Sequence, residues 1–257
     1  MNDRGFSIER VILIGAPRET VFRYFTDSER FAAWWGAGSS IDPRPGGAVR
    51  IRYPNAVEAS GSVVEIAPPA RIVFTYGYEG DGKPIPPGGS RVTVVLSSEP
   101  GGTRVALTHA CQDVDPAVGA EHVQGWRYQM AVFANVVSRE SQAGAVDRID
   151  TFLSAWNAAD ADERVRLLRL SVTDDMAFRD AYSCTEGIED LAAHLGAVRT
   201  FMPGMTLARD GDVVQCQGTA IAAWIARKAD GSVAGRGRDV FELSPEGKIR
   251  RATGFWG

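Results

Sequence analysis

Between residues 46 and 111 apolar and polar positions alternate in short runs separated by turns. Val49, Ile51 and Tyr53 hold one face of the first run, and Ile72, Phe74, Tyr76 and Tyr78 that of another. Val92, Val94 and Leu96 follow, then Val105, Leu107, His109 and Cys111. A period of two is the signature of a pleated strand with one face buried. It predicts strands near 46–53, 57–66, 70–78, 89–98 and 103–111, after a β-rich stretch at 6–15. Pro17 is expected to open a helix carrying Glu19, Val21, Phe22 and Phe25. Asp27 or Ser28 then caps a second short helix carrying Phe31, Trp34 and Trp35. From about 117 to 139 the period changes: Val123, Trp126, Met130, Phe133 and Val137 form one helical stripe.

The order reverses after residue 144, with helices first and strands last. Ile149, Phe152, Leu153 and Trp156 predict a helix over 146–158, followed by a short one near 163–170. A strand at 176–180 leads to a third helix at 188–201, then to strands at 205–209, 213–227, 233–243 and 248–256. Asp210-Gly211, Asp230-Gly231 and Glu246-Gly247 read as hairpin turns. Of the 13 prolines, 11 precede Ala117, and three Pro-Gly-Gly triplets (45–47, 87–89, 100–102) punctuate only the first half. The polar stretch 138–144 is the expected connector. Two α+β domains follow, over residues 1–143 and 146–257: an antiparallel sheet with a long C-terminal helix, then a sheet wrapped around helices.

Composition narrows the function classes. Apolar runs are too short for a transmembrane helix, and Asp3, Arg4, Glu9 and Arg10 leave no apolar signal core, so a cytoplasmic protein without a secretory address is expected. Residues 1–143 carry 14 basic and 15 acidic side chains and residues 144–257 carry 14 and 17, without the basic excess of a nucleic-acid binder. Three histidines and three scattered cysteines argue against a metal site or a disulfide framework, and no cofactor is expected. Cys111 and Cys216 read as small buried hydrophobes. Any chemistry then falls to carboxylates. Alternation places Asp180 with Met176 and Phe178, and Asp239 with Phe241 and Leu243. A carboxylate on an apolar face must be paired, hydrogen-bonded or neutral. Two in different environments can divide the work of base and donor. Otherwise Asp180 starts the next turn, and Asp239 pairs with Arg179, Arg236 or Arg238.

The runs Phe152-Leu-Ser-Ala-Trp-Asn-Ala-Ala-Asp160, Asp175-Met-Ala-Phe-Arg-Asp180, Gly187-Ile-Glu-Asp-Leu191 and Gly237-Arg-Asp-Val-Phe-Glu-Leu-Ser-Pro-Glu-Gly-Lys-Ile249 carry a resemblance. Over 146–257 the chain resembles the nuclear transport factor 2-like superfamily, in its SnoaL and ketosteroid isomerase branches. The resemblance implies a cone-shaped α+β domain with a deep apolar pocket. It puts Asp180 in the place of the general base, Asp239 in that of a protonated donor, and Trp256 at an aromatic pocket position. The tyrosine that would complete the donor pair falls at Phe152, which has no hydroxyl, so steroid isomerisation is not expected; Tyr182 is a possible substitute. His194 lies near the apolar face of its helix, as a pocket acid or base or as a core or edge histidine. Phe152, Trp156, Tyr182, Trp224 and Trp256 are the expected ligand contacts.

The first half has its own likeness. Gly15-Ala-Pro-Arg-Glu-Thr-Val-Phe-Arg-Tyr-Phe-Thr-Asp-Ser-Glu-Arg-Phe31, Trp34-Trp35, Asp42-Pro-Arg-Pro-Gly-Gly47 and Gly125-Trp126 resemble the SRPBCC (START-like, helix-grip) superfamily. The pattern is that of the branch named after the activator of the heat-shock-protein-90 ATPase. The resemblance spans about residues 6–140 and implies a seven-stranded antiparallel sheet gripping the last helix around an apolar cavity. Tyr53, Phe74, Tyr76, Tyr78, Trp126, Met130 and Phe133 point toward that space, as cavity wall or as plain core. His109 and His122 decorate its mouth or serve structurally. The expected function is binding of a small hydrophobic ligand: polyketide-, lipid- or steroid-like. The alternatives are an isomerase, cyclase or hydratase using Asp180, and a partner-binding module or homodimer formed through the C-terminal domain.

Overall fold

The computed structural model describes residues 5–257; Asp3 and Arg4, invoked above for the absence of a signal core, lie outside the described residues. The chain separates into two compact units, one ending at Val137 and the other beginning at Ser138.

The first unit runs β1 (Gly5–Ile14), α1 (Arg18–Arg23), α2 (Ser28–Trp35), β2 (Ser40–Ile41), β3 (Ala48–Arg52), β4 (Glu58–Ala67), β5 (Arg71–Tyr76), β6 (Ser90–Glu99), β7 (Gly102–Gln112) and α3 (Pro116–Ser141). Its seven strands form one sheet in the order β1-β7-β6-β5-β4-β3-β2, antiparallel throughout. Two-residue β2 is too short to show alternation and escapes a sequence reading. Pro17 precedes α1 as its N-cap rather than opening its first turn. Asp27 is the cap of α2, accepting from the Glu29 and Arg30 amides at 2.9 and 3.0 Å. The apolar stripe of α3 joins a core in which Phe133 meets Tyr24, Phe25 and Trp34. This helix continues through Ser138–Ser141, so the polar stretch read as a connector is helical over its first four residues. Polarity there reflects solvent exposure on one side, which a helix tolerates as well as a loop does.

The second unit contains α4 (Ala145–Asn157), α5 (Ala161–Ser171), β8 (Val172–Arg179), β9 (Cys184–Glu186), α6 (Ile188–Phe201), β10 (Thr206–Arg209), β11 (Val214–Cys216), β12 (Thr219–Arg227), β13 (Val233–Leu243) and β14 (Ile249–Trp256). The sheet order is β10-β12-β13-β14-β8-β9, with β11 also paired to β12. Only β14 and β8 run parallel. Two expectations change here. The run 213–227 breaks at Gln217 and Gly218, whose φ angles of 46° and 88° form a tight turn between β11 and β12. Asp210-Gly211 is then not a hairpin turn, because β10 and β11 both pair along the same strand, β12. Cys216 is exposed, as is Cys184; only Cys111 is buried. Among the described residues, no helix is long and apolar enough to cross a membrane.

Candidate functional site

Three adjacent strands of the second unit bring the two carboxylates together. Asp239 on β13 pairs with Gly254 on β14, whose neighbour Thr253 pairs with Arg179 at the end of β8. Asp180 follows directly, so Asp239, Gly254 and Asp180 form a row across the sheet. A Cβ at Gly254 would lie 3.1 Å from Asp239 Oδ1 and 3.3 Å from the Asp180 Cβ. A side chain here would therefore push the carboxylates apart. They open onto a pocket of about 290 Å³ walled by Trp156, Phe178, His194, Leu207, Trp224 and Trp256, with Val198, Met202 and Met205 also in its lining.

The two carboxylates have different surroundings. Asp239 is 4% exposed, and its Oδ1 accepts the indole N–H of Trp224 at 2.8 Å. Gly237, opposite Trp224, lets that ring lie against the sheet: a Cβ there would come within 2.3 Å of the indole. Burial pushes the Asp239 carboxyl up to about 7, against the Trp224 hydrogen bond, and the nearby Asp180 charge adds to the rise. Asp180 is only half-buried. Its Oδ1 accepts from the Tyr182 amide and the Ser183 hydroxyl, both at 2.8 Å, and its Oδ2 accepts from Trp256 Nε1 at 3.3 Å. It thus starts the turn after β8 and lines the pocket at once. None of Arg179, Arg236 and Arg238 pairs with Asp239; Arg179 reaches Glu186, and Arg236 reaches Asp210.

His194 sits on α6 with its ring 5.9 Å from Trp156 and 6.2 Å from Phe178, facing the same pocket. Tyr182 is 78% exposed and packs edge-on against Trp256 at the rim, so it is no buried donor to replace the missing tyrosine. Phe152 is fully buried behind Trp156, against Phe178 and Phe241, and does not line the pocket. Its place on the inward stripe is what periodicity reports; its depth is not.

The first unit holds a larger pocket, about 500 Å³, between α2, α3 and the sheet. Tyr53, Tyr76, Tyr78, His109 and Trp126 line it. Phe74, Met130 and Phe133, pointed the same way, are instead packed into the core at 0–1% exposure. Trp34 and Trp35 on α2 line the pocket as well, and their dipeptide was the visible trace of that wall.

Most of its buried polar groups are paired; the Trp35 indole N–H, buried in the wall, has no hydrogen-bond partner. Tyr53 and Tyr76 share a hydroxyl–hydroxyl bond of 2.8 Å, and burial raises both above the ordinary phenol range. The Val118 carbonyl must accept from His122 Nδ1 (2.8 Å), which leaves Nε2 to accept from the Tyr78 hydroxyl at 3.2 Å. His109 lies at 0% exposure rather than at a mouth. Trp126 Nε1 donates to its Nδ1 at 3.0 Å, so its Nε2 donates to Ser90 Oγ at 2.8 Å, which donates to the Tyr76 carbonyl. Burial, helped by His122, drives the His109 pKa down to about 3. It is a satisfied structural histidine. Trp126→Phe leaves its buried Nδ1 without a donor and is expected to cost about 1–3 kcal/mol, read as a lowered thermal midpoint.

No curated protein matches the chain. Solved structures similar to it include a candidate isomerase of the SnoaL-like family from Agrobacterium tumefaciens, 26% identical, covering 45% of this chain and 98% of that chain with a TM-score of 0.43. An AHSA1-like protein from Rhizobium etli is 28% identical and covers 52% of this chain and 83% of its own, with a TM-score of 0.42. The Aha1 dimer from Colwellia psychrerythraea is 18% identical over 49% of this chain and 90% of its own, with a TM-score of 0.42. Residues 15–138, from the end of β1 into the last turns of α3, match the family model described as Activator of Hsp90 ATPase homolog 1-like protein.

Proposed function

We propose that this is a small-molecule-binding protein with one apolar ligand site in each unit. The observation that carries this reading is a pair of well-formed pockets, about 500 and 290 Å³, each walled mainly by aromatic and aliphatic side chains. Gly125 supports it for the first unit. It lies in the middle of α3, where glycine costs about 1 kcal/mol relative to alanine, and a Cβ there would meet no atom within 4 Å. The glycine faces open space in the pocket wall. Gly125→Leu is therefore expected to fill the first pocket, abolish uptake there and keep or raise the thermal midpoint. Displacement of an apolar dye and native mass spectrometry after gentle purification test both sites. A chain that takes up no ligand in either assay, with Gly125→Leu behaving like wild type, overturns the proposal.

A second reading, proton transfer in the second unit, is favoured by the unequal carboxylates. In this reading Asp180 serves as the base and Asp239 as the neutral donor, its proton on Oδ2 because Oδ1 accepts from Trp224. The pair suits an uncharged substrate that forms an enol or enolate: the base removes a carbon-bound proton while the donor meets the developing oxygen charge. Deuterium incorporation next to the carbonyl of enolisable ketones tests it.

Self-association of the second unit is favoured by its sheet face, where Val214 and Ile221 are exposed directly opposite each other on β11 and β12, and Phe255 is exposed on β14 beyond the intervening β13. Light scattering on the intact chain tests this; a strict monomer overturns it.

A further inference from the structure

We propose that the pocket of the first unit takes an organic cation, an apolar body ending in a quaternary ammonium group. This rests on the reading of that pocket as a ligand site and names the chemistry it selects.

Wall geometry comes first. Trp35 stands at 86° to Tyr53 with ring centroids 5.8 Å apart, and at 73° to Trp126 at 5.6 Å. Tyr76 and Tyr78 cross at 74° and 5.4 Å. A flat polycycle is best held between parallel rings. Walls at right angles form corners that suit a rounded group better than a flat one, and a ring face turned into such a corner is the negative end of an aromatic quadrupole.

The charge pattern points the same way. The wall contains no Lys or Arg, and its one formally charged side chain is the exposed Glu121. Lys83 lines only an adjoining compartment, which shares Tyr53, Tyr78, Glu121 and His122 with the pocket. A carboxylate or phosphate ligand would find no cation to meet it and would face Glu121. Hydrogen bonding adds a third argument, because the Tyr53, Tyr76 and Tyr78 hydroxyls and both imidazoles of the wall already have partners, and the buried wall group without one, the Trp35 indole N–H, is a donor that offers a ligand N–H nothing. A quaternary ammonium has no N–H and requires nothing of them.

The test compares choline with its uncharged isostere, 3,3-dimethylbutan-1-ol, by titration calorimetry on the intact chain. Choline is expected to bind at least tenfold more tightly than the isostere, with binding weakened by salt. Tyr53→Leu is expected to remove most of that preference. Glu121→Gln, an exposed substitution that leaves the core untouched, should weaken choline two- to threefold and leave the isostere unchanged. If the isostere, or hexanoate, binds as tightly as choline, the cation assignment falls and the ligand-site reading stands. If none of the three binds, and Gly125→Leu changes no dye uptake, both fall.

Discussion

Asp180→Asn is expected to slow deuterium incorporation into an enolisable ketone by roughly 10²–10⁴-fold, the usual contribution of a positioned general base. The geometry explains why the loss should be chemical rather than structural. Asn keeps an oxygen that can accept from the Tyr182 amide and the Ser183 hydroxyl, so the turn after β8 survives. What it loses is a lone pair able to take up a proton. Asp239→Asn should be milder, because an amide N–H still points toward the pocket while the amide oxygen accepts from Trp224. Equal rates in wild type and Asp180→Asn would end the proton-transfer reading and leave ligand binding in place.

The second large effect is on stability, and it depends on pH. In the folded chain Asp239 titrates at about 7 against an ordinary 3.8. Between those values the folded state holds a proton that the unfolded state has lost, so stability falls as pH rises through this window and levels off above it. The span corresponds to roughly 4 kcal/mol at full ionisation. Asp239→Asn has no proton to lose. The variant is therefore expected to match wild type near pH 4 and to exceed it by a few kcal/mol at pH 9, measured on the unfolding transition of the second unit. His109 has the opposite sign. Its folded pKa of about 3 lies below the ordinary 6.5, so its contribution is lost as pH falls from 6.5 toward 3. Wild type and variant share that term, and the difference between their curves isolates Asp239. Identical curves would mean that Asp239 is ionised in the fold and is no neutral donor.

The two carboxylates also show how far the sequence reading reaches. Alternation put Asp180 beside Met176 and Phe178, and Asp239 beside Phe241 and Leu243, because side chains two apart on a strand share a face. The adjacency of those faces depends on the parallel β14–β8 pairing, which joins residues more than 70 positions apart. Nothing local signals that pairing. The bond of Trp224 to Asp239 depends on the β12–β13 register and on the absence of a side chain at Gly237. The polarity of the site was legible. The division of labour within it was not, because burial and neighbouring charge set a pKa.

Periodicity fails in a characteristic way in both units. Phe74, Met130, Phe133 and Phe152 point inward as their spacing requires, yet each is packed behind the residues that line the pocket. Inward direction is a property of the local backbone. Whether an inward side chain touches a cavity or another side chain depends on what the facing element supplies. Trp34 and Trp35 illustrate the converse: α2 brings them across the end of the sheet, where they become cavity wall.

By itself the sequence determined the α+β class, the two-part organisation, the alternating faces and the restriction of acid–base candidates to a few carboxylates and histidines. These follow from hydrophobic period, turn residues and composition, all of which act over a few neighbouring positions. Tertiary structure alone decided that Asp180, Asp239 and His194 share one pocket, that His109 is held neutral by burial between two hydrogen-bond partners, and that open space remains beside Gly125. Each of these is a relation between distant segments, set by strand register and by how completely side chains fill the space between layers.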